Sequence, residues 1–316
     1  MKQKALVLFS GGLDSALAVK LTEDIFELSG IVFSTPFSRA KKEVFELAEK
    51  LDLPLKHIFF GEEYFEIIIK PEFGTGKGLN PCLDCHIMML KKAKLYADEI
   101  GAEFLITGDV LSQRMMSQKS GDLKKVEKET GLEGRIIRPL SGALLPPSDA
   151  EKKGFIQRSQ LLAVSGKSRG RQFALAEKYA LEGFAAPAGG CVLTDKIFSK
   201  RIKDAVEHGE LDLLHSRHLM AGRHFRLEKG SKLVIARTAG EDKFLYANRG
   251  GLIIIRSAGA PGPGALLSDM RDIDLALSIM ARYSKKTDEF MVSANGVEKK
   301  VKARPASEET VRKYLI

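Results

Sequence analysis

Two kinds of residue in this chain carry chemistry: a glycine-serine turn near the start, and three cysteines. Phe9-Ser10-Gly11-Gly12-Leu13-Asp14-Ser15 follows the apolar run Ala5-Leu6-Val7-Leu8 and precedes Ala16-Leu17-Ala18-Val19. That order predicts a buried strand, a tight turn and a helix. Two glycines and flanking serines let backbone N–H groups converge on an anion, and the helix adds its positive dipole end, so the turn is built for a phosphate. It lacks the Gly-Lys-Ser/Thr ending of a Walker A loop and the spacing of a G-x-G-x-x-G dinucleotide loop. Cys82 and Cys85 stand as Cys-x-x-Cys after the glycine-rich stretch Gly74–Asn80, and Cys191 follows a second glycine turn, Pro187-Ala188-Gly189-Gly190. Three cysteines suit metal or redox chemistry better than a disulfide framework. They are also one short of the four usual in a closed metal site, which leaves the open position catalysis needs.

The elements that must position these groups alternate strand and helix. Gly30–Ser34 and Leu55–Phe60 read as strands, Lys41–Leu51 as a helix with Val44, Leu47, Ala48 and Leu51 on one face, and Glu103–Ile106 as a further strand. This alternation predicts an α/β fold, a doubly wound parallel sheet with its ligand at the carboxyl ends of the strands. The cysteine pair precedes the helical run Ile87–Ile100, where a helix start favours thiolates. Thr107-Gly108-Asp109-Val110-Leu111-Ser112-Gln113 ends a strand with residues able to read a base or ribose. Residues 119–134 read as a loop or frayed helix, Arg135–Leu140 as the last strand, and Glu151–Val164 and Arg169–Tyr179 as helices. Ser165–Arg171 between them is a basic turn without the strand of a P-loop.

Beyond a helix carrying Lys200, Arg201 and Lys203 the texture changes. His208, His215 and His218 are too irregularly spaced for zinc and read as solvated. Strands are predicted at Arg223–Leu227, Lys232–Ala236, Phe244–Ala247 and Leu252–Arg256, a hinge at Pro261–Gly264, a helix at Leu266–Tyr283, and a hairpin about Asn295-Gly296. The expected division is a catalytic domain over 1–200 and a smaller α+β domain over 201–316.

Composition bounds the function classes. The 316 residues are 44% hydrophobic, enough for about two packed domains. No apolar run approaches a membrane span and Met1-Lys2-Gln3-Lys4 enters the first strand directly, so a cytoplasmic protein without membrane contact is expected. Residues 1–199 hold 28 Lys/Arg against 26 Asp/Glu, whereas residues 200–316 hold 22 against 15, a surplus suited to an anionic polymer.

The Ser-Gly-Gly-x-Asp-Ser loop resembles that of the PP-loop ATP pyrophosphatases. Together with Asn80-Pro81-Cys82-x-x-Cys85-His86, Thr107–Gln118 and Pro187–Asp195 it is similar to the tRNA thiouridine synthetases, in particular the iron-sulfur-dependent type with a 4-thiouridine synthetase-like catalytic part. The resemblance covers residues 1 to about 200. The C-terminal part is similar to a small RNA-associated domain found with ribosome quality-control proteins. The resemblance implies that ATP is split to AMP and pyrophosphate, a uridine carbonyl oxygen being adenylated and then replaced by sulfur. Phe9, Ser10, Gly11, Gly12, Asp14 and Ser15 would hold ATP, with Thr107, Gly108, Asp109 and Gln113 on the nucleotide side and Asp14 positioning Mg2+. Cys82, Cys85 and Cys191 would hold a [4Fe-4S] cluster, with Cys82, Cys191 and Asp14 the catalytic residues. Lys91, Lys92 and Arg114 are candidates to steady phosphate charge. Implied partners are tRNA and a sulfur donor, inorganic sulfide or a persulfide carrier, and a homodimer is admitted. THUMP, ferredoxin-like and rhodanese modules are not found, so the target uridine and the donor stay open. Three alternatives stand beside this reading: a Cys191 persulfide resolved by Cys82, a PP-loop amide synthetase, and an RNA-binding protein with a vestigial nucleotide fold.

Overall fold

The computed structural model describes residues 2–185 and 190–316, and the chain divides after Thr194 into two compact units. The expected boundary at 200 falls inside a helix of the second unit, because Asp195 caps that helix by accepting from Phe198 N at 2.8 Å.

In the first unit, β1 (Gln3–Leu8), β2 (Phe26–Ser34), β3 (Leu55–Phe59), β4 (Phe104–Thr107) and β5 (Ile136–Ile137) form one parallel sheet in the order β3-β2-β1-β4-β5. Its helices are α1 (Leu13–Lys20), α2 (Lys42–Lys50), α3 (Glu63–Ile69), α4 (Cys82–Ile100), α5 (Ser120–Thr130), α6 (Asp149–Lys152) and α7 (Gly170–Lys178). Side-chain alternation along β1 sends Ala5 and Val7 into a core with α1, α2 and α7, and Leu6 into a second core with α4 and α5. Helices thus cover both faces, the Rossmann-like arrangement expected. The strand order reverses at β1, so its carboxyl end and that of β4, where Leu8 pairs with Thr107, border the crevice of such a sheet.

Several local expectations change. Residues 120–130 are a regular helix, since Leu123, Val126 and Thr130 bury one face and Gly131 ends it at φ +59°. The last strand shrinks to Ile136–Ile137. The helix expected over 151–164 stops at Lys152, after a Ser148–Glu151 capping box, with Gly154 at φ +77°. Beyond it Leu162 and Val164 donate instead to the carbonyls of Pro139 and Leu140.

The second unit holds β6 (Arg223–Arg226), β7 (Lys232–Ile235), β8 (Ile253–Ser257), β9 (Gly264–Leu267), β10 (Glu289–Ala294) and β11 (Val297–Lys302) in an antiparallel sheet ordered β11-β10-β8-β9-β7-β6. Its helices are α8 (Lys196–Glu207), α9 (Leu213–His218), α10 (Ala239–Ala247), α11 (Ile273–Tyr283) and α12 (Glu308–Tyr314). Leu277, Ile279 and Met280 of α11 join Phe225, Leu233, Ile255 and Phe290 in its core. The hairpin turns at Asn295 and Gly296 with φ +49° and +78°, as an Asn-Gly turn requires. Phe244–Ala247, expected as a strand, lies in α10, which Thr238 starts by accepting from Glu241 N. Residues 264–267 are strand β9 rather than the start of a helix. His218 is buried and its Nε2 pairs with the Asn248 carbonyl, contrary to the solvated reading. Arg201, expected on a basic face, is buried and donates to the carbonyls of Leu219 and Gly222. Among the described residues no helix is long and apolar enough to cross a membrane.

Candidate active site

The phosphate turn is held by its own side chains. Ser15 Oγ donates to the Gly12 carbonyl at 2.9 Å and accepts from Ser10 N at 3.3 Å, while Gly12 N reaches Ser10 Oγ at 3.4 Å. Phe9 N continues the sheet by donating to Ile31 O at 2.8 Å. Gly11 sits at φ +71°, and a Cβ there would stand 2.8 Å from Val44 Cγ2. Gly108, on the neighbouring strand end, backs onto the turn so tightly that a Cβ would lie 2.6 Å from the Asp14 carbonyl carbon and Ser15 N. The two carboxyl-end loops are thereby fixed against each other before any ligand arrives.

Asp14 is the carboxylate of this turn. Its Oδ2 accepts from Gln113 Nε2 at 2.7 Å, and Gln113 Oε1 accepts from Gln172 Nε2 at 2.9 Å. Asp14 Oδ1 is buried without a hydrogen-bond partner among the described residues. A buried carboxylate oxygen left open beside an anion cradle fits a divalent cation bridging it to a polyphosphate. Sequence reading picked out Gln113 and missed Gln172; its one trace was an amide on the apolar face of α7 beside Ala176, fully buried in the structure.

The other strand-end residues are occupied elsewhere. Asp109 is buried and accepts from Thr107 Oγ1 at 2.8 Å and Gln118 Nε2 at 2.9 Å, with Arg138 Nε at 3.6 Å and His86 Nε2 at 3.7 Å. Burial alone would raise its pKa, but His86, Arg138 and the two donors hold it below the usual carboxylate range. Burial lowers the pKa of His86, against the pull of that carboxylate. Thr107 and Asp109 therefore brace the loop, while Gly108 and Gln113 meet the phosphate turn. Lys91 and Lys92 lie exposed on α4.

Two of the cysteines lie at the start of α4. Cys82 opens that helix and Cys85 lies in its first turn, so the helix begins earlier than the Ile87 expected. Asn80 Nδ2 stands 2.9 Å from Cys82 Sγ. Cys191 is exposed, and its segment is tied to both sites: Ala185 N donates to Gly11 O at 2.9 Å, and Leu79 N to Leu193 O at 3.1 Å. Pro187, Ala188 and Gly189 of the expected motif lie outside the described residues, whereas Gly190 is at φ +115°. Burial pushes the Cys85 thiol up to about 12, and Cys191 and Cys82 push it further in the same direction. Burial raises Cys82 and Cys191 as well, against which Arg114 pulls both down. Tyr64, buried under α4, hydrogen-bonds Cys85. Among the described residues no three His, Cys, Asp or Glu side chains are grouped to hold a metal ion, so the three-cysteine metal site expected from the sequence is not formed here.

Residues 1–144 match the family model of the thiamine biosynthesis protein ThiI, and residues 222–315 that of the NFACT protein RNA binding domain. The chain carries a ThiI/PP-loop domain and an NFACT-R domain. The ThiI match stops short of Cys191, so the third cysteine lies beyond the matched stretch, and the coverage is less than the 200 residues expected. A probable tRNA sulfurtransferase of Thermococcus kodakarensis is 29% identical over 148 residues, covering 44% of this chain and 37% of that protein. The tRNA-specific 2-thiouridylase MnmA of Hydrogenovibrio crunogenus is 29% identical over 120 residues, 33% of this chain and 32% of that protein. An uncharacterized protein of Methanocaldococcus jannaschii is 28% identical over 115 residues, 35% of this chain and 42% of that protein. The chain spans less than half the length of each of these relatives.

Proposed function

We propose that this chain is an ATP-dependent tRNA-thiolating enzyme. The observation that carries the reading is the preformed phosphate turn, whose Asp14 keeps one buried oxygen open, with the segment of Cys191 tied to that turn on one side and to the Cys82 turn on the other. The names of the sulfurtransferase and thiouridylase relatives support it.

In this account the N–H groups of the Ser10–Ser15 turn receive the β,γ-pyrophosphate, and Asp14 holds Mg2+ against the triphosphate. The uridine carbonyl oxygen attacks the α-phosphorus of ATP and pyrophosphate leaves. A sulfur nucleophile then adds to the activated ring carbon, and AMP departs with the original oxygen. Cys82, Cys85 and Cys191 would hold a [4Fe-4S] cluster, which would supply a sulfide-level sulfur nucleophile when bound. Asn80 orients Cys82, and Arg114 offsets negative charge at Cys82 and Cys191. The surplus of Lys and Arg in the second unit and its NFACT-R match support tRNA as the acceptor.

One observation favours a second chemistry. Cys191 is exposed, as a persulfide-bearing cysteine resolved by Cys82 would require, although burial raises its pKa against the pull of the Leu193 backbone and Arg114. Incubation with unmodified tRNA, ATP and sulfide, followed by nucleoside mass spectrometry and pyrophosphate assay, tests the reading. ATP-dependent thiouridine with matching pyrophosphate supports it. Pyrophosphate release with no sulfur in the RNA, under anaerobic and reconstituted conditions, contradicts it.

A further inference from the structure

The second unit carries an exposed tyrosine packed against two unneutralised guanidinium groups. Tyr246 lies in the last turn of α10 and is 40% exposed. The Arg256 guanidinium carbon, on β8, is 4.1 Å from its ring centroid, and that of Arg249, just past α10, is 4.7 Å away. Arg249 is further fixed by donating to the Tyr246 carbonyl at 3.3 Å. Arg217 of α9 joins the group through Asn248, whose Oδ1 it meets at 3.0 Å, and Lys243 stands one helical turn before Tyr246.

Among the described residues none of these four cations forms an ion pair with an acid, unlike Arg226, Arg237, Arg271, Arg282 and Arg312 of the same unit. Arg226 is locked to Asp204 and Glu210, Arg237 to Glu241, and Arg312 to Glu308. The acids around the patch are spent elsewhere or stand apart. Glu241 faces Arg237, Glu289 of β10 takes Lys300 and Lys302, and Asp242 packs against Gly264, the cross-strand neighbour of Arg256, without an ion pair. Two guanidinium planes on an aromatic ring, each with its charge still available, present stacking surface and phosphate donors within one span.

We propose that Tyr246, Arg249 and Arg256 take one unpaired nucleotide of an RNA, the base stacking on the ring or a guanidinium plane and the flanking phosphates meeting Arg217, Lys243 and the two stacked arginines. This rests on the proposed RNA role of the second unit and names the contact within it. Charge selects the occupant: an apolar or acidic-rimmed surface would suit a protein, whereas free cations around an exposed ring suit a single strand.

The test is tRNA binding by the full chain, measured by fluorescence anisotropy across a salt series, on wild type, Tyr246→Ala, Tyr246→Phe, Arg249→Ala/Arg256→Ala and Arg312→Ala. Tyr246→Ala is expected to weaken binding about 5- to 100-fold, and Tyr246→Phe, which keeps the ring, to bind as wild type. The double arginine variant should lower the salt slope by about two, with Arg312→Ala nearly unchanged. Wild-type affinity and slope in Tyr246→Ala and the double variant, each with an unchanged thermal midpoint, overturn the proposal while leaving tRNA thiolation standing if wild type still thiolates. A wild-type chain that binds no tRNA overturns both.

Discussion

The phosphate turn and the cysteine set occupy the same unit, yet they are finished to different degrees. The turn is preformed: its serines bond its own backbone, Gly11 and Gly108 remove Cβ atoms where the chain is tightest, and Gln113, itself held by Gln172, bonds Asp14. The thiols are unfinished, since burial raises the pKa of all three, neighbouring thiols add to this at Cys85 and Cys82, and Asn80, Tyr64, the Leu193 backbone and Arg114 offset it only in part. A preorganised cradle suits a ligand that comes and goes, whereas under the proposed function the thiols would take a resident group that replaces their protons.

The largest effect expected from separating the two is that of Asp14→Ala, which removes the carboxylate with the open oxygen. Pyrophosphate release should fall on the order of 100-fold or more, with the thermal midpoint and the iron content after anaerobic reconstitution both retained. Iron lost along with activity would show that the two regions are one site.

Gly108→Ala attacks the fit between the two loops. The new methyl would press on the Asp14–Ser15 backbone at 2.6 Å, destabilising the first unit by about 1–3 kcal/mol and lowering its midpoint by several degrees. An unchanged midpoint would mean that the turn is not packed against the β4 end as described.

The thiols can be broken by pH. Cys85 has its pKa raised in the folded state from the usual 9.0 to about 12, so the unfolded chain loses its proton first as pH rises. Metal-free protein should therefore be fully stabilised by this group below pH 9 and lose up to about 1.4 kcal/mol per pH unit between 9 and 12. Urea titrations from pH 8 to 10 on wild type and Cys85→Ser measure it, and equal pH dependence in the two would contradict the burial of Cys85. Iron binding should abolish the difference, because a ligated thiolate has no proton left to lose.

The smallest effect belongs to Gln172→Ala. Losing the donor to Gln113 loosens the hold on Asp14, raising the KM for ATP about fivefold, as one hydrogen bond of roughly 1 kcal/mol would, with kcat little changed. A fall in kcat with KM constant would place Gln172 in the chemistry itself.

What was readable in the sequence follows the same division. The turn, the strand before it and the helix after it are encoded within about a dozen consecutive residues, so the type and spacing of Ser10–Ser15 sufficed. The Asn295-Gly296 hairpin was legible for the same reason. Roles set by distant partners were not. The partners of Asp109, His86 and Arg138, come from other elements, and the only local trace of Gln172 is its place on the apolar face of α7. Phe244–Ala247 has strand-like composition, but the Thr238 cap and the burial of Leu245 draw it into a helix. Residues 151–164 have helical composition, yet the carbonyls of Pro139 and Leu140 take their N–H groups into extended pairing.

The central claim is that Cys82, Cys85 and Cys191 together hold the group that completes the site. Anaerobic reconstitution followed by iron and acid-labile sulfide analysis, with an absorption spectrum, on wild type and a variant with all three cysteines changed to Ala tests it most directly. The account predicts about four irons and four sulfides per chain in wild type and none in the variant. Wild type that takes up neither iron nor sulfide, while still thiolating tRNA from a persulfide donor, would contradict it and assign the sulfur transfer to Cys191 and Cys82 alone.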